Sequence, residues 1–407
     1  MEIHCFKGIL LHGSKKLLDQ LDARSHQINY YELNNNKNNN GNKYIHNIYN
    51  YRDMIFITLI TIVSIDTASA NLWIIDKTCN NKQKCNLKCK NKEFCYKNCN
   101  KYLNISSCDG KTKFDSNKSK TYIRDGRPFN IIYGEGFANG FLGKDILKFG
   151  GINDNNNNTL IIPNIVFGQA TTIDKHTGNE PIDGIIGLAF QSIAINNIEP
   201  PLSAAFRLLS KPIFTVFLTT LNNNNQKKLI KGGGGGGQLT YGGYDNINCG
   251  KIIGWTPLIN NSYYIFEIEE INYYNNNYIS KAKQKVISDT ATSLIYGNNS
   301  IILSIGKQIG AEYNKSQNLL FIPCNKTYNS ITFKINGIKY NLTKDVLTID
   351  IYDPLNKKCL FGMVPQNLTN KNFDWIFGAP FIRQYCNIYD IGKNRIGFAK
   401  SNYLKND

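Results

Sequence analysis

Residues 286–294 read VISDTATSL, and residues 65–76 read IDTASANLWIID. The two share Asp-Thr-Ala followed at once by a hydroxyl residue, Ser69 in the first and Thr292 in the second, and each follows a β-type apolar run. Further along each half comes a second shared element, two apolar residues and a glycine: Ile185-Ile186-Gly187 and Ile376-Phe377-Gly378. The same elements in the same order, twice in one chain, indicate a duplicated unit. A duplicated β lobe with one carboxylate at the same place in each copy brings Asp66 and Asp289 together at a local two-fold axis.

Around these motifs the chain reads as mainly β. Short β-branched and aromatic runs such as ITIVSI, FNIIYG, LIIPNIVFG, IFTVFLT, YYIFEIEEI and NRIGFA are separated by Gly, Asn and Asp clusters. Residues 1–53, with the Asn34–Asn40 tract, read as a poorly ordered arm. Residues 54–225 are expected to form a first lobe with Asp66 and a Cys-rich insert, and residues 226–407 a second with Asp289. Flexible inserts are expected at Asn153–Asn158 and Asn222–Gly237, the latter marking the boundary between halves. Its glycine run is not followed by Gly-Lys-Ser/Thr, which removes a phosphate-cradle reading.

A chain of 407 residues is long enough for two or three domains, and 42% hydrophobic residues with 12% aromatics exclude a disordered chain. The net charge of +17 is spread along the whole length with many Asn and Ile, as codon bias produces, so no nucleic-acid partner is expected. The longest apolar run, Met54–Ile65, has 12 residues where a spanning helix needs about 20. No membrane span is expected. The first twenty residues lack the basic stretch and unbroken apolar run of a secretory leader, so the chain as given reads as carrying no export signal.

The cysteines point the other way. Six of the eleven, at 79, 85, 89, 95, 99 and 108, crowd into one short segment, and Cys249, Cys324, Cys359 and Cys386 stand singly. The C-x2-C pairs usual in zinc sites are absent, so disulfides are expected and no metal. Six cysteines allow 15 connectivities, and the pairing within 79–108 stays open. Cys5 is the candidate for the cysteine left over. N-x-[ST] acceptors begin at Asn104, Asn117, Asn157, Asn260, Asn298, Asn314, Asn325, Asn341 and Asn367. Cysteines and acceptors together favour a secretory compartment.

Two carboxylates at close range cannot both ionise cheaply, so one proton is shared and the two titrations move apart. The ionised member can take a proton from water as it attacks a peptide carbonyl, while the protonated member donates to the carbonyl oxygen. No cofactor or covalent nucleophile is required. Thr67 and Thr290 are expected to brace the opposite loop, and Ser69 and Thr292 to orient the carboxylates.

From about residue 62 to 400 the sequence resembles the pepsin-like aspartic proteases (peptidase family A1), and several phrases resemble their secreted nematode branch. The phrases are IDTASANLWIID at 65–76, IIYGEGFANGFLGKDIL at 131–147, PIDGIIGLAF at 181–190, VISDTATSL at 286–294 and WIFGAPFIRQYCNIYDIGKNRIGFAK at 375–400. The resemblance implies a bilobal fold, two related β lobes with a peptide-binding cleft between them. It further implies an aspartic endopeptidase working at acidic pH with hydrophobic residues preferred around the cut, secreted or lysosomal, monomeric, with protein or peptide substrates. Asp66 and Asp289 take the catalytic positions. Tyr133, in a hairpin with Gly134 and Gly136, takes that of the flap tyrosine, Trp73 packs behind it, and Ile185 lines an apolar subsite. Cys324–Cys359 matches the family's C-terminal disulfide, Cys249–Cys386 an extra nematode-type pair, and Cys79 opens the loop after the first aspartate.

The sequence departs from the family's pattern at several places. Both motifs read Asp-Thr-Ala where the family has Asp-Thr/Ser-Gly, and a methyl group has about the volume of a water molecule. Ala68 and Ala291 therefore give a second reading, a peptide-binding relative with impaired catalysis. Glu135 stands at a flap position usually Ser or Thr, and Ala379 replaces an Asp. The family's opening Gly-Thr-Pro-Pro-Gln turn is missing before Asp66. Residues 44–65 are expected to give a strand or two and an incomplete first lobe, as a wrong first exon in a gene prediction would produce.

Overall fold

A computed structural model describes residues 44–51, 55–58, 63–80, 106–134, 136–149, 160–219, 236–274, 277–351, 357–368 and 372–404. The repeat read from the sequence is a repeat of topology. In the first half the strands run Ile55–Thr58, Val63–Asp66, Gly184–Gly187, Leu72–Ile75 and Leu160–Ile173 across one sheet. In the second they run Ile265–Ile268, Gln284–Ser288, Trp375–Phe377, Ile295–Gly297 and Met363–Pro365. Directions match at every step: antiparallel, parallel, antiparallel, parallel.

In both copies the apolar-apolar-Gly strand lies between the aspartate strand and the strand that follows it. Flanked on both sides, it is buried along its length, which is why Ile185-Ile186 and Ile376-Phe377 are continuous apolar pairs rather than alternating ones. The glycines that end these pairs are required by packing. A Cβ on Gly187 would lie 2.5 Å from the Ala70 carbonyl carbon, and one on Gly378 would lie 2.2 Å from the Thr292 oxygen. In each half the chain leaving the aspartate passes directly over the glycine.

A second group of strands joins the halves. Cys249–Pro257, Arg395–Ser401, Tyr385–Asp390, Ile213–Leu218, Gly237–Tyr241 and Tyr44–Tyr51 follow one another and continue through Ile55–Thr58 into the first lobe, within one 13-stranded sheet. The two last strands of the chain and its first described strand therefore share this sheet, with Ile213–Leu218 and Gly237–Tyr241 between them. The helix Asn299–Ile309 packs on the second lobe through Ile302, Ile305 and Ile309; Asn298 caps its start and Gly310, at φ 76°, its end.

Three sequence readings need correction or completion. Within the stretch 1–53 expected as an arm, Tyr44–Tyr51 is a strand that pairs with Gly237–Tyr241 and with Ile55–Thr58. Residues 1–43, Cys5 among them, lie outside the described residues. The stretch 44–65 supplies two complete strands and begins a third, and the place beside the Asp66 strand is filled by Ile55–Thr58 just as Ile265–Ile268 fills it beside the Asp289 strand. The sheet also crosses the expected boundary at 225/226, since Gly237–Tyr241 is flanked by Ile213–Leu218 and Tyr44–Tyr51.

Disulfides join Cys249 to Cys386, Cys324 to Cys359 and Cys79 to Cys108. The first two are the pairs implied by the resemblance. The third pairs the outer two of the six clustered cysteines; the four between them lie outside the described residues, as do both flexible inserts, apart from the insert's last residues Gly236 and Gly237. No described helix is long and apolar enough to cross a membrane.

Candidate active site

Asp66 ends its strand and Asp289 directly follows its own, each at the point where the parallel neighbour delivers a glycine. The two turns are bonded to each other. The Thr67 amide donates to Thr290 Oγ1 and the Thr290 amide to Thr67 Oγ1, both at 3.0 Å. Each hydroxyl then donates onward to the opposite strand, Thr67 Oγ1 to the Ser288 carbonyl at 2.9 Å and Thr290 Oγ1 to the Ile65 carbonyl at 2.8 Å. Four buried bonds related by a two-fold thus hold the aspartate loops side by side, and the exchange works only if both residues carry a hydroxyl.

Both carboxylates are 1% exposed. Each receives the same two donors. Asp66 Oδ1 accepts from the Ala68 amide at 2.8 Å and Oδ2 from Ser69 Oγ at 2.5 Å. Asp289 Oδ1 accepts from the Ala291 amide at 2.9 Å and Oδ2 from Thr292 Oγ1 at 2.5 Å. Burial first, and then the neighbouring Asp66 charge, hold the Asp289 carboxyl well above the ordinary carboxylate range, against the pull of its hydroxyl and amide donors. The pair is thereby suited to carry a single proton.

The two alanines occupy ordinary backbone. Neither is among the described residues with positive φ, so neither position calls on glycine's conformational freedom. Ala68 is 3% exposed and packs in one apolar cluster with Trp73, Tyr133 and Ile185, whereas Ala291 is half-buried. Trp73 Nε1 donates to the Tyr133 hydroxyl at 2.7 Å, which fixes the tyrosine at the base of its hairpin. The hairpin closes through the Tyr133 amide bonded to the Gly136 carbonyl, with Gly136 at φ 103°. A side chain there would meet Asp174 and Thr177, because Asp174 caps the helix Lys175–Asn179 and also binds the Phe137 amide. Gly134 is exposed at the turn, and Glu135 lies outside the described residues. Ile185 is fully buried in the strand beside Asp66. Ala379 is also fully buried, its amide bonded to the Thr292 carbonyl. Among the described residues no group of three or more His, Cys, Asp or Glu side chains is arranged to hold a metal ion.

The family model described as eukaryotic aspartyl protease matches residues 60–401. The chain belongs to this family. It is 34% identical to aspartic protease 6 of Caenorhabditis elegans over 349 residues, 84% of this chain and 78% of that protein. Aspartic protease 1 of the same organism is 35% identical over 341 residues, 83% of this chain and 78% of its own length. Aspartic protease 2 of Necator americanus is 31% identical over 380 residues, covering 88% and 85%. The duplicated lobes with a carboxylate loop in each are the pepsin-like fold of this family.

Sequence reasoning on this aspartyl protease missed the layer under the loops. Ser288 Oγ and the Tyr389 hydroxyl share a hydrogen bond of 2.8 Å, and Asn387 Nδ2 donates to Ser288 Oγ at 2.7 Å. Ser288 stands beside the motif and Asn387 and Tyr389 lie within a quoted phrase, yet nothing local joins them. The one available signal was a polar residue at 288 where the other copy has Ile65.

Proposed function

We propose that this chain is an aspartic endopeptidase that hydrolyses peptide bonds with a water activated between Asp66 and Asp289. The observation that carries the reading is the matched pair of carboxylates, buried, cross-braced and each given an alanine amide and a hydroxyl as donors, in a chain of the aspartyl protease family. The raised Asp289 carboxyl supports its holding the shared proton while Asp66 serves as base.

Asp66 takes a proton from water as the oxygen adds to the scissile carbonyl carbon, and Asp289 donates its proton to the carbonyl oxygen. The tetrahedral diol then collapses: the C–N bond breaks, the nitrogen receives the proton held by Asp66, and a diol hydroxyl returns its proton to Asp289. Products are an acid and an amine, and the starting protonation is restored. The mechanism needs one carboxyl protonated, hence an acidic working range. Membership of the aspartyl protease family supports a preference for hydrophobic side chains around the cut, and both carboxylates sit on one chain, which fits a monomer.

Turnover of a fluorogenic peptide from about pH 3 to 6, blocked by a statine-type inhibitor, tests the reading. Absence of inhibitable turnover would sink it. The buried Ala68 methyl beside Tyr133 favours one alternative, a relative that binds peptides and does not cut them. Ala68→Gly combined with Ala291→Gly separates the two: a gain in turnover of about 100-fold or more marks the natural chain as impaired, and a change of a few-fold marks it as a working enzyme.

Secretion or delivery to an acidic organelle completes the reading. Three disulfides support it, as do exposed acceptor asparagines at 117, 260, 298, 325 and 341. Glycosidase treatment of the natural protein should increase its mobility on a gel.

A further inference from the structure

Beneath the Asp289 loop lies a polar and aromatic floor that the hydrolysis itself does not use. Tyr389 is 0% exposed, and its ring stacks on Phe214 at 4.4 Å with 8° between planes and meets the edge of Tyr264 at 4.6 Å. Its hydroxyl contacts Ser288 Oγ at 2.8 Å and accepts a longer bond from Asn387 Nδ2 at 3.4 Å. Thr67 also bears on the phenol, and so does the Asp289 charge. Burial pushes that phenol up to about 12, so it is a neutral dipole throughout the acidic range. Tyr264 ties the same floor to the other loop: its hydroxyl donates to the Leu188 carbonyl at 2.7 Å, the Leu188 amide bonds the Asp66 carbonyl, and its own carbonyl receives the Ser288 amide. The strand that carries Asn387 and Tyr389 is anchored one residue earlier by the Cys249–Cys386 disulfide.

The floor is one-sided. In the first copy the residue before the aspartate is Ile65, which has no hydroxyl to enter such a chain. We propose that Ser288, Asn387 and Tyr389 are positioning residues that hold the Asp289 side of the bridge and set which carboxyl of the pair keeps the shared proton. This rests on the dyad reading above. A hydroxyl chain inside the protein acts strongly on the nearest ionisable group, and its members reinforce one another's bonds. Here it supports Thr67 from below, so that the Thr67 hydroxyl keeps its bond to the Ser288 carbonyl and the Thr290 amide keeps its acceptor.

The test uses calorimetric binding of a statine-type inhibitor to the full, disulfide-bonded chain, from about pH 3 to 7. Such binding reports the dyad's protonation whether or not the enzyme turns over. Tyr389→Phe and Ser288→Ala should each move the pH midpoint of binding by about half a unit or more, close to threefold in proton affinity, and weaken the inhibitor by at least about threefold. Ser288→Thr, which keeps the hydroxyl, should restore the natural profile. Tyr385→Phe is the control, because its hydroxyl lies on the same strand but bonds Asn341. An unchanged profile in folded Tyr389→Phe and Ser288→Ala overturns the proposal, as does an equal shift in the control. If Ser288→Ala fails to fold, Tyr389→Phe decides, since it removes one oxygen and keeps the ring stack. Natural protein that binds no inhibitor at any pH overturns the dyad reading and this proposal with it.

Discussion

Each carboxylate is fixed by donors within three residues of it in sequence, so its orientation is a local property of Asp-Thr-Ala-Ser/Thr. Nearness of the two carboxylates is a property of Thr67 and Thr290. The two roles predict different mutant behaviour. Asp289→Asn keeps the shape and removes the titratable acid, and peptide turnover should fall by at least about 1,000-fold with the circular dichroism unchanged. Thr290→Val deletes a hydroxyl that both accepts and donates in the bridge. It should cost about 1–3 kcal/mol in urea unfolding, because the Thr67 amide is left buried without its acceptor. A loss of activity without any loss of stability in that variant would contradict the bridging role.

At the scale of the strand, the glycines after the apolar pairs matter more than the pairs. Gly378→Ala sets a methyl against the Thr292 and Leu294 carbonyl oxygens, at 2.2 and 2.4 Å, and backbone cannot swing aside as a side chain can. Thermal unfolding should show destabilisation at or above the upper end of about 1–3 kcal/mol; a neutral result would mean that the loop and strand are not in such close contact. The glycine, though not its contact, was readable beforehand, since it stands at the same place in the order of motifs in both copies. What lies under the loops was not readable. The segment Tyr385–Asp390 is buried at every position, so YCNIYD shows no alternation that would single out Asn387 or Tyr389, and their partner Ser288 is about a hundred residues away. The Cys79–Cys108 bond was equally hidden, because cysteine spacing constrains connectivity only weakly. The late end assigned to the arm had a similar cause: YIHNIYNY is polar enough to pass for loop, and it is a strand because Gly237–Tyr241 offers it an edge.

For the whole molecule, the buried dyad links stability to acidity. Asp289 has a folded value raised above the 3.8 of the free group, so the native state binds the proton more tightly than the unfolded chain does. Its contribution to stability is fully present below that value and is lost as pH rises through the raised one. Melting temperature should therefore decline from acid toward neutral pH, and Asp289→Asn should flatten that decline; a variant that melts with the natural pH dependence would show that other groups govern it. The joining sheet has a consequence for synthesis. Ile213–Leu218 receives one neighbour, Gly237–Tyr241, soon after translation, but the other, Tyr385–Asp390, only when nearly all the polypeptide has been made. A nascent chain on the ribosome thus carries an open β edge from residue 218 until residue 390 has been made, a site for chaperones to cover, and protease sensitivity of stalled chains should drop only once residue 390 has cleared the exit tunnel.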